Sequence, residues 1–229
     1  MYRSGVAACH RQSRTAEVTR TPPSLAPMRP LLHRPVRALV FAADPGDGFA
    51  TSRWLERWGD TTLIEHVAAG VARWPVDERY FVLGADAEEV VAACDLAGAD
   101  VIIDPEWEEG AAASVRVGLD VLTRRGEDGP ALLADAARPK VTPEDVATLI
   151  AGHDPQVAPV TVARYRYATA PPYLIEPSLW PVLMGREGNA PLESLWKTHP
   201  EWISEVRIDH QPPHDVRTPF DLEHVRPAH

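Results

Sequence analysis

The segment FAADPGDGFATSR, residues 41–53, decides the architecture of this chain. It continues the apolar run VRALVFAA, residues 36–43, into a turn containing glycines. Turns of this kind offer backbone N–H groups to phosphate in many nucleotide-binding proteins. This one also carries two carboxylates, Asp44 and Asp47. Three readings stand open at this point: a phosphate cradle, a metal site, or a cradle that has lost its purpose.

Outward from that turn, short apolar runs alternate with helical patterns. RYFVL (79–83), DVII (100–103) and PALLA (130–134) read as further strands. The alternation predicts an α/β fold in which a mostly parallel, mixed sheet lies between helices in three layers, a Rossmann-like arrangement. Thr62 to Trp74 has apolar residues at 63, 67, 71 and 74, with Thr62 and Glu65 spaced as a capping box. A second helix starts at Asp86 with Glu89 and stops at Gly98, and a third runs from Ser114 to Arg125. Thr142-Pro143-Glu144-Asp145 and Thr218-Pro219-Phe220-Asp221 each supply an N-cap, a first-turn proline and an acid, so both open helices. After about residue 155, extended segments at 157–163, 171–175 and 204–208 alternate with helices near 177–185 and 190–199, completing the same sheet with antiparallel strands.

In an open α/β sheet the ligand crevice lies beyond the carboxyl ends of the strands. Asp44, Asp104 and Asp135 each stand at such an end. Carboxylates there are candidate Mg²⁺ ligands for a phosphate substrate. Proline follows Asp44 and Asp104, which turn formation also explains, and for Asp104 the turn is the favoured reading.

Charge divides the chain. Residues 1–34 hold six arginines against Glu17, a balance of +5, so a net charge of −10 leaves −15 on the remainder. An acidic body argues against nucleic-acid or anionic-membrane partners, because phosphate-backbone binding depends on Lys and Arg. Small-molecule partners fit better. The basic head reads as a disordered tail or as a start placed upstream of Met28, and residues 35–229 as one domain. With 45% apolar residues in 229, one full core is affordable, and the absence of a long apolar run predicts a soluble chain. Two cysteines, Cys9 and Cys94, make no disulfide framework and point to the cytoplasm. Two lysines against 21 arginines suggest a GC-rich bacterial gene.

The order of segments resembles the MobA-like NTP transferases, over roughly residues 36–226. Members open with LAAGxGxRMGxxKxLLxxxGxxLLEHV, and FAADPGDGFATSRWLERWGDTTLIEHV aligns with it without a gap. VDERYFVLGADAEEV (76–90) follows as the family's second strand and helix. DPEWEEGAAASVRVGL (104–119) is similar to NPxWxxGxxxSxxxGL, and DVRTPFDL (215–222) to DIDTPEDL.

The resemblance implies transfer of a nucleotidyl group from an NTP, CTP or GTP, to a phosphorylated small molecule such as molybdopterin, with Mg²⁺ as cofactor. A molybdoenzyme or its maturation factor is the implied protein partner. Carried over by position, Arg53 stands for the catalytic lysine. Ala42, Ala43, Gly46, Gly48 and Ser114 fall on nucleotide-binding positions, and Asp135 and Asp215 on the metal-binding aspartates.

The departures cluster at the chemistry. Asp44 replaces a glycine, Gly48 the loop arginine, Ala50 another glycine and Arg217 the second aspartate of DIDTPED. DAARPKVTPE is two residues longer than the family's DxPxVTPE. Residues 44–53 sum to −1, and a carboxylate about 4 Å from a phosphate oxygen costs on the order of 4 kcal/mol at an effective dielectric near 20. These changes leave two alternatives beside the transferase. One is a catalytically inactive homologue acting in binding or assembly. The other is an NAD(P)H-dependent reductase, because Gly46-Asp47-Gly48 opens like a dinucleotide fingerprint. DHQPPHD (209–215) offers His210, His214 and Asp209 or Asp215 to a transition metal, although a polar loop is its ordinary explanation. The seven tryptophans read as core or interface residues, with Trp54 and Trp58 as a partner-surface alternative.

Overall fold

Alternate residues of the first strand, β1 (Arg37–Ala42), serve two different cores. Ala38, Val40 and Ala42 pack on one side, and Leu39 and Phe41 on the other. Such a strand must lie between two layers. The structure is a computed structural model and describes residues 34–188 and 190–226. The expected tail falls outside them except for Arg34, which donates to the Glu176 carboxylate and, at 2.7 Å, to the Asp128 carbonyl.

After β1 come the two-residue strands β2 (Arg57–Trp58) and β3 (Thr61–Thr62), then α1 (Leu63–Val71), β4 (Glu78–Leu83), α2 (Ala87–Ala93) and β5 (Asp100–Ile103). The chain continues through α3 (Ala111–Arg124), β6 (Ala131–Asp135), α4 (Pro143–Ala151), β7 (Val160–Arg164) and β8 (Thr169–Ile175). Helices α5 (Trp180–Met184) and α6 (Leu192–Thr198), strand β9 (Ile203–Arg207) and helix α7 (Pro219–Val225) complete it.

Seven strands form one sheet in the order β5-β4-β1-β6-β8-β7-β9. All neighbours pair in parallel except at β8, which is antiparallel to both β6 and β7. The core on one face draws on α1, α2, α4 and α7, and the core on the other on α3, α5 and α6. The expected three-layer, mostly parallel mixed sheet is therefore the fold.

The capping box read at Thr62 is present, and the threonine N-caps read at 142 and 218 are capping boxes as well. Thr62 with Glu65, Thr142 with Asp145 and Thr218 with Asp221 each exchange side-chain and backbone hydrogen bonds. Several boundaries differ. Helix α2 ends at Ala93 rather than near Gly98, because Asp95 Oδ1 accepts the Ala97 N–H at 2.8 Å and diverts the chain into a local turn. Helix α3 starts at Ala111, three residues before Ser114, as expected of three consecutive alanines. The segment 177–185 divides into a 3₁₀ turn at Pro177–Leu179 and α5, each with a proline in its first turn. Trp54 and Trp58 are buried in the core rather than forming a partner surface.

Candidate functional site

The carboxyl ends of β1 and β6 open into a cleft of about 530 Å³. Chain order explains the place: from β1 the sheet grows through β4 to β5 on one side and then through β6 on the other. The connection from β1 runs toward β4 on one side and that from β6 toward β7 on the other, which leaves a crevice between the two strand ends. Its walls include Asp44 and Arg53 from the first loop, Trp107 and Ser114 around the start of α3, and Asp135 and Arg138 at the end of β6. Tyr173 on β8, Glu193 on α6 and Arg217 before α7 close the remaining sides.

The first loop is built around Arg53. Gly46 has φ +85°, and a Cβ there would stand 2.8 Å from Arg53 Cδ and 2.9 Å from Phe49 Cδ2, so glycine lets the arginine stem pass. Arg53 is 3% exposed; its Nη1 donates to the Val216 carbonyl at 3.0 Å, and its guanidinium lies 4.4 Å from the Trp54 ring centre. Burial pulls its pKa below the ordinary arginine value, opposed by Asp44 and Asp135. The group keeps its charge. Asp44 Oδ1 accepts the Gly46 N–H at 2.6 Å, and Oδ2 lies 3.8 Å from Arg53 Nη2. One amide of the loop is thus already engaged by the loop's own carboxylate. Asp47 is exposed.

Asp135 and Asp215 meet through backbone contacts. The Val216 N–H donates to the Ala137 carbonyl at 2.7 Å, tying the loop before α7 to the turn after β6. Arg217 bridges the two acids: its Nε donates to Asp215 Oδ2 at 2.8 Å, and its Nη2 lies 3.6 Å from Asp135 Oδ2. Arg138 adds a second cation, with Nη2 3.2 Å from Asp215 Oδ2 and Nη1 donating to the Pro213 carbonyl at 2.7 Å. Asp135 Oδ1 accepts the Ala137 N–H at 2.9 Å. Although 29% of its side-chain surface still faces the cleft, enclosing protein atoms push the Asp135 carboxyl above the usual aspartate range. Asp215 adds to that rise, and Arg53 and Arg217 oppose it.

The other expected site residues are dispersed. Ala43 and Ser114 line the cleft, whereas the Ala42 side chain belongs to the core beneath α1. Gly48 is exposed and stands near the start of α7, where a Cβ would lie 3.9 Å from Pro219 Cδ. The Ser114 hydroxyl donates to Asp104 Oδ2 at 2.6 Å, and Asp104 Oδ1 accepts the Glu106 N–H at 2.9 Å. Asp104 is 1% exposed, and its carboxylate holds the β5–α3 connection together.

Arg138, Trp107, Tyr173 and Glu193 also line the cleft, beyond the residues expected from the sequence. The two extra residues after Asp135 were the signal for Arg138. For Trp107 the signal is the tryptophan of DPEWEEG, and in the fold it packs on Gly84, where a Cβ would fall 2.4 Å from Trp107 Cβ and 2.7 Å from the Ala43 carbonyl oxygen. The Tyr173 hydroxyl donates to Glu193 across the far wall, and burial, then that carboxylate, raises its pKa.

Asp135 and Asp215 do not fit a divalent ion as arranged. Mg²⁺ demands near-octahedral oxygen ligands at about 2.1 Å. Here a guanidinium lies against an oxygen of each acid, and only Asp215 Oδ1 is buried without a partner. At about 5 Å and an effective dielectric near 20, each guanidinium would repel a divalent ion by roughly 7 kcal/mol, which offsets much of the attraction of the two aspartates. Among the described residues no cluster of three or more His, Cys, Asp or Glu could hold a metal. The DHQPPHD reading fails on the same count, because His210 contacts Asp145 Oδ1 through Nε2 and the Gln211 carbonyl through Nδ1, both at 2.7 Å.

Comparisons with known proteins agree with the fold. Residues 38–202 match the MobA-like NTP transferase domain. A homologue of Rv0371c from Mycobacterium sp. strain JC1 superposes with a TM-score of 0.73 at 26% identity, covering 82% of this chain and 93% of that one. Rv0371c from Mycobacterium tuberculosis H37Rv, in a complex with manganese, gives 0.72 at 22% identity over 84% and 98%. A CMP:2-keto-3-deoxy-manno-octonic acid synthetase complexed with CTP gives 0.67 at 17% over 84% and 97%. A search of curated proteins finds no match. With more than half its length matched and the ligand crevice where an α/β sheet of this order places one, the chain belongs to the MobA-like NTP transferase domain family.

Proposed function

We propose that this chain is a nucleotidyltransferase that binds CTP or GTP in the β1–β6 cleft and transfers the nucleotidyl group to a phosphorylated small molecule such as molybdopterin. In this reaction an acceptor phosphate oxygen forms a bond to the α-phosphorus. The bond from that phosphorus to the oxygen bridging to the β-phosphate breaks, and pyrophosphate leaves with that oxygen. Such chemistry needs positioning and charge neutralisation more than covalent participation by the protein.

The observation that carries the reading is the convergence of Arg53, Arg138 and Arg217 on one cleft at the carboxyl ends of parallel strands in a chain of this family. The lining holds three arginines against four carboxylates, Asp44, Glu108, Asp135 and Glu193. Affinity for a triphosphate must therefore come from local placement of the guanidiniums, since the net field does not supply it. Arg53 and Arg217 would meet the phosphates, and Ser114 and Ala43 would border the nucleoside. Mg²⁺, expected from the family, finds Asp135 and Asp215 already in guanidinium contact. A cytoplasmic place and a molybdoenzyme or maturation-factor partner belong to the same proposal. No helix of the described residues is long and apolar enough to cross a membrane.

Isothermal titration of the purified chain with CTP, GTP and ATP tests binding, and release of pyrophosphate in the presence of a phosphorylated pterin acceptor tests transfer. Saturable binding of CTP or GTP with NTP-dependent pyrophosphate release, weakened in Arg217→Ala, is expected. Binding without release would identify an inactive homologue, and no heat with any nucleotide would refute the reading.

A further inference from the structure

We propose that Arg138 and Arg217 form a built-in counter-cation in this cleft, so that it takes a phosphate-bearing nucleotide without a divalent metal. The inference rests on the nucleotide-binding reading above and concerns how that site neutralises its ligand.

Two guanidinium groups carry the same formal charge as one divalent ion. Both are placed on the acids that would otherwise hold such an ion: Arg217 spans Asp215 at 2.8 Å and Asp135 at 3.6 Å, and Arg138 reaches Asp215 at 3.2 Å. Their positions are fixed. The Arg217 N–H donates to Asp221 Oδ2 at 3.1 Å inside the capping box of α7, and Arg138 is held by the Pro213 carbonyl at 2.7 Å. Arg217 also keeps 58% of its side chain exposed, so donors remain for a ligand, whereas Arg138 is mostly buried at 17%. A guanidinium is a planar fork that suits phosphate oxygens, and unlike a metal ion it cannot be lost to a chelator.

Both arginines depart from the family's motifs, and they do so in compensation. Arg217 occupies the position of the second aspartate of the late motif, and Arg138 lies in the lengthened segment after Asp135. One removes a metal ligand and adds a cation; the other adds a cation beside the acid that remains.

Titration of the full chain with CTP and GTP in EDTA, and again with Mg²⁺, is the first measurement. Dissociation constants in the two buffers should agree within about threefold, and Arg217→Ala should weaken binding in EDTA by about tenfold or more. The second measurement follows Mn²⁺ alone by electron paramagnetic resonance, without nucleotide. The native chain should leave Mn²⁺ free, and Arg217→Asp should bind it at least about tenfold more tightly. Arg217→Ala, which truncates a largely exposed side chain, replaces Arg217→Asp in the Mn²⁺ experiment if thermal unfolding shows the latter misfolded. Nucleotide binding that appears only with a divalent ion would overturn the proposal, as would Mn²⁺ binding to the native chain as tightly as to the variant. If no nucleotide binds in either buffer, the nucleotide reading fails while the Mn²⁺ comparison still decides the role of the two arginines.

Discussion

Arg53 Nη1 donates to the carbonyl of Val216 at 3.0 Å, joining the loop after β1 to the loop before α7 across 163 residues of sequence. Val216 in turn donates its N–H to Ala137. One buried valine backbone therefore ties together the three loops that carry Arg53, Asp135 with Arg138, and Asp215 with Arg217. The residue at the family's catalytic lysine position is at once a cleft residue and a structural clamp.

Replacing Arg53 should accordingly cost stability as well as affinity. Arg53→Ala removes a hydrogen bond from a charged donor and the contact with Trp54, and should lower unfolding free energy by about 1.5–3 kcal/mol. Arg53→Lys should fall between, because an ammonium cannot reproduce the planar stacking. Urea denaturation with unchanged midpoints for both variants would contradict the clamp.

Two glycines should respond in opposite directions. Gly84→Ala forces a Cβ to 2.4 Å from Trp107 Cβ and should destabilise by about 1–3 kcal/mol, with altered tryptophan fluorescence and weaker nucleotide binding. Gly70 lies within α1 with nothing within 4 Å of an added Cβ, so Gly70→Ala should stabilise by about 0.5–1 kcal/mol. Thermal melts of the pair check both signs.

Ser114→Ala separates a structural role from a ligand-binding one. It withdraws a donor from the buried Asp104 carboxylate, and a loss of about 1–3 kcal/mol in stability is expected. If Ser114 also borders the nucleotide, titration with CTP or GTP should show weaker binding at a temperature where the variant remains folded. Unchanged stability would remove the Asp104 anchor from the account.

The loop holding Asp215 and Arg217 should stiffen in acid. The hydrogen bond to Asp145, followed by that to the Gln211 carbonyl, raises the His210 pKa above its ordinary 6.5. The imidazolium, donating from both ring nitrogens, is favoured in the folded state. Its stabilisation is fully present below about pH 6.5, the unfolded value, and is lost as pH rises through the folded value. The difference in melting temperature between the native chain and His210→Ala should therefore shrink from about pH 6 to about pH 8. Because 47% of the His210 side chain is exposed, the effect is small, and a pH-independent difference would refute it.

Local rules alone placed much of this protein. The apolar run of β1, the capping box at Thr62, the N-caps at Thr142 and Thr218, and strand-end aspartates are short-range patterns, and each survives in the fold because it depends on residues a few positions apart. The order of motifs was enough for the family and for bringing Asp135 and Asp215 under one heading. Tertiary structure alone decided what those aspartates touch. Arg138, Arg217 and the Val216 carbonyl converge through contacts spanning up to 163 residues, and their electrostatic consequence depends on distances of a few ångströms that no spacing rule encodes. The same holds for Asp44: in sequence it reads as a charge set against a phosphate, whereas in the fold it accepts the Gly46 N–H and faces Arg53 at 3.8 Å. Coulomb energies fall with separation, so the sign of each group was legible from the sequence and its partner only from the packing.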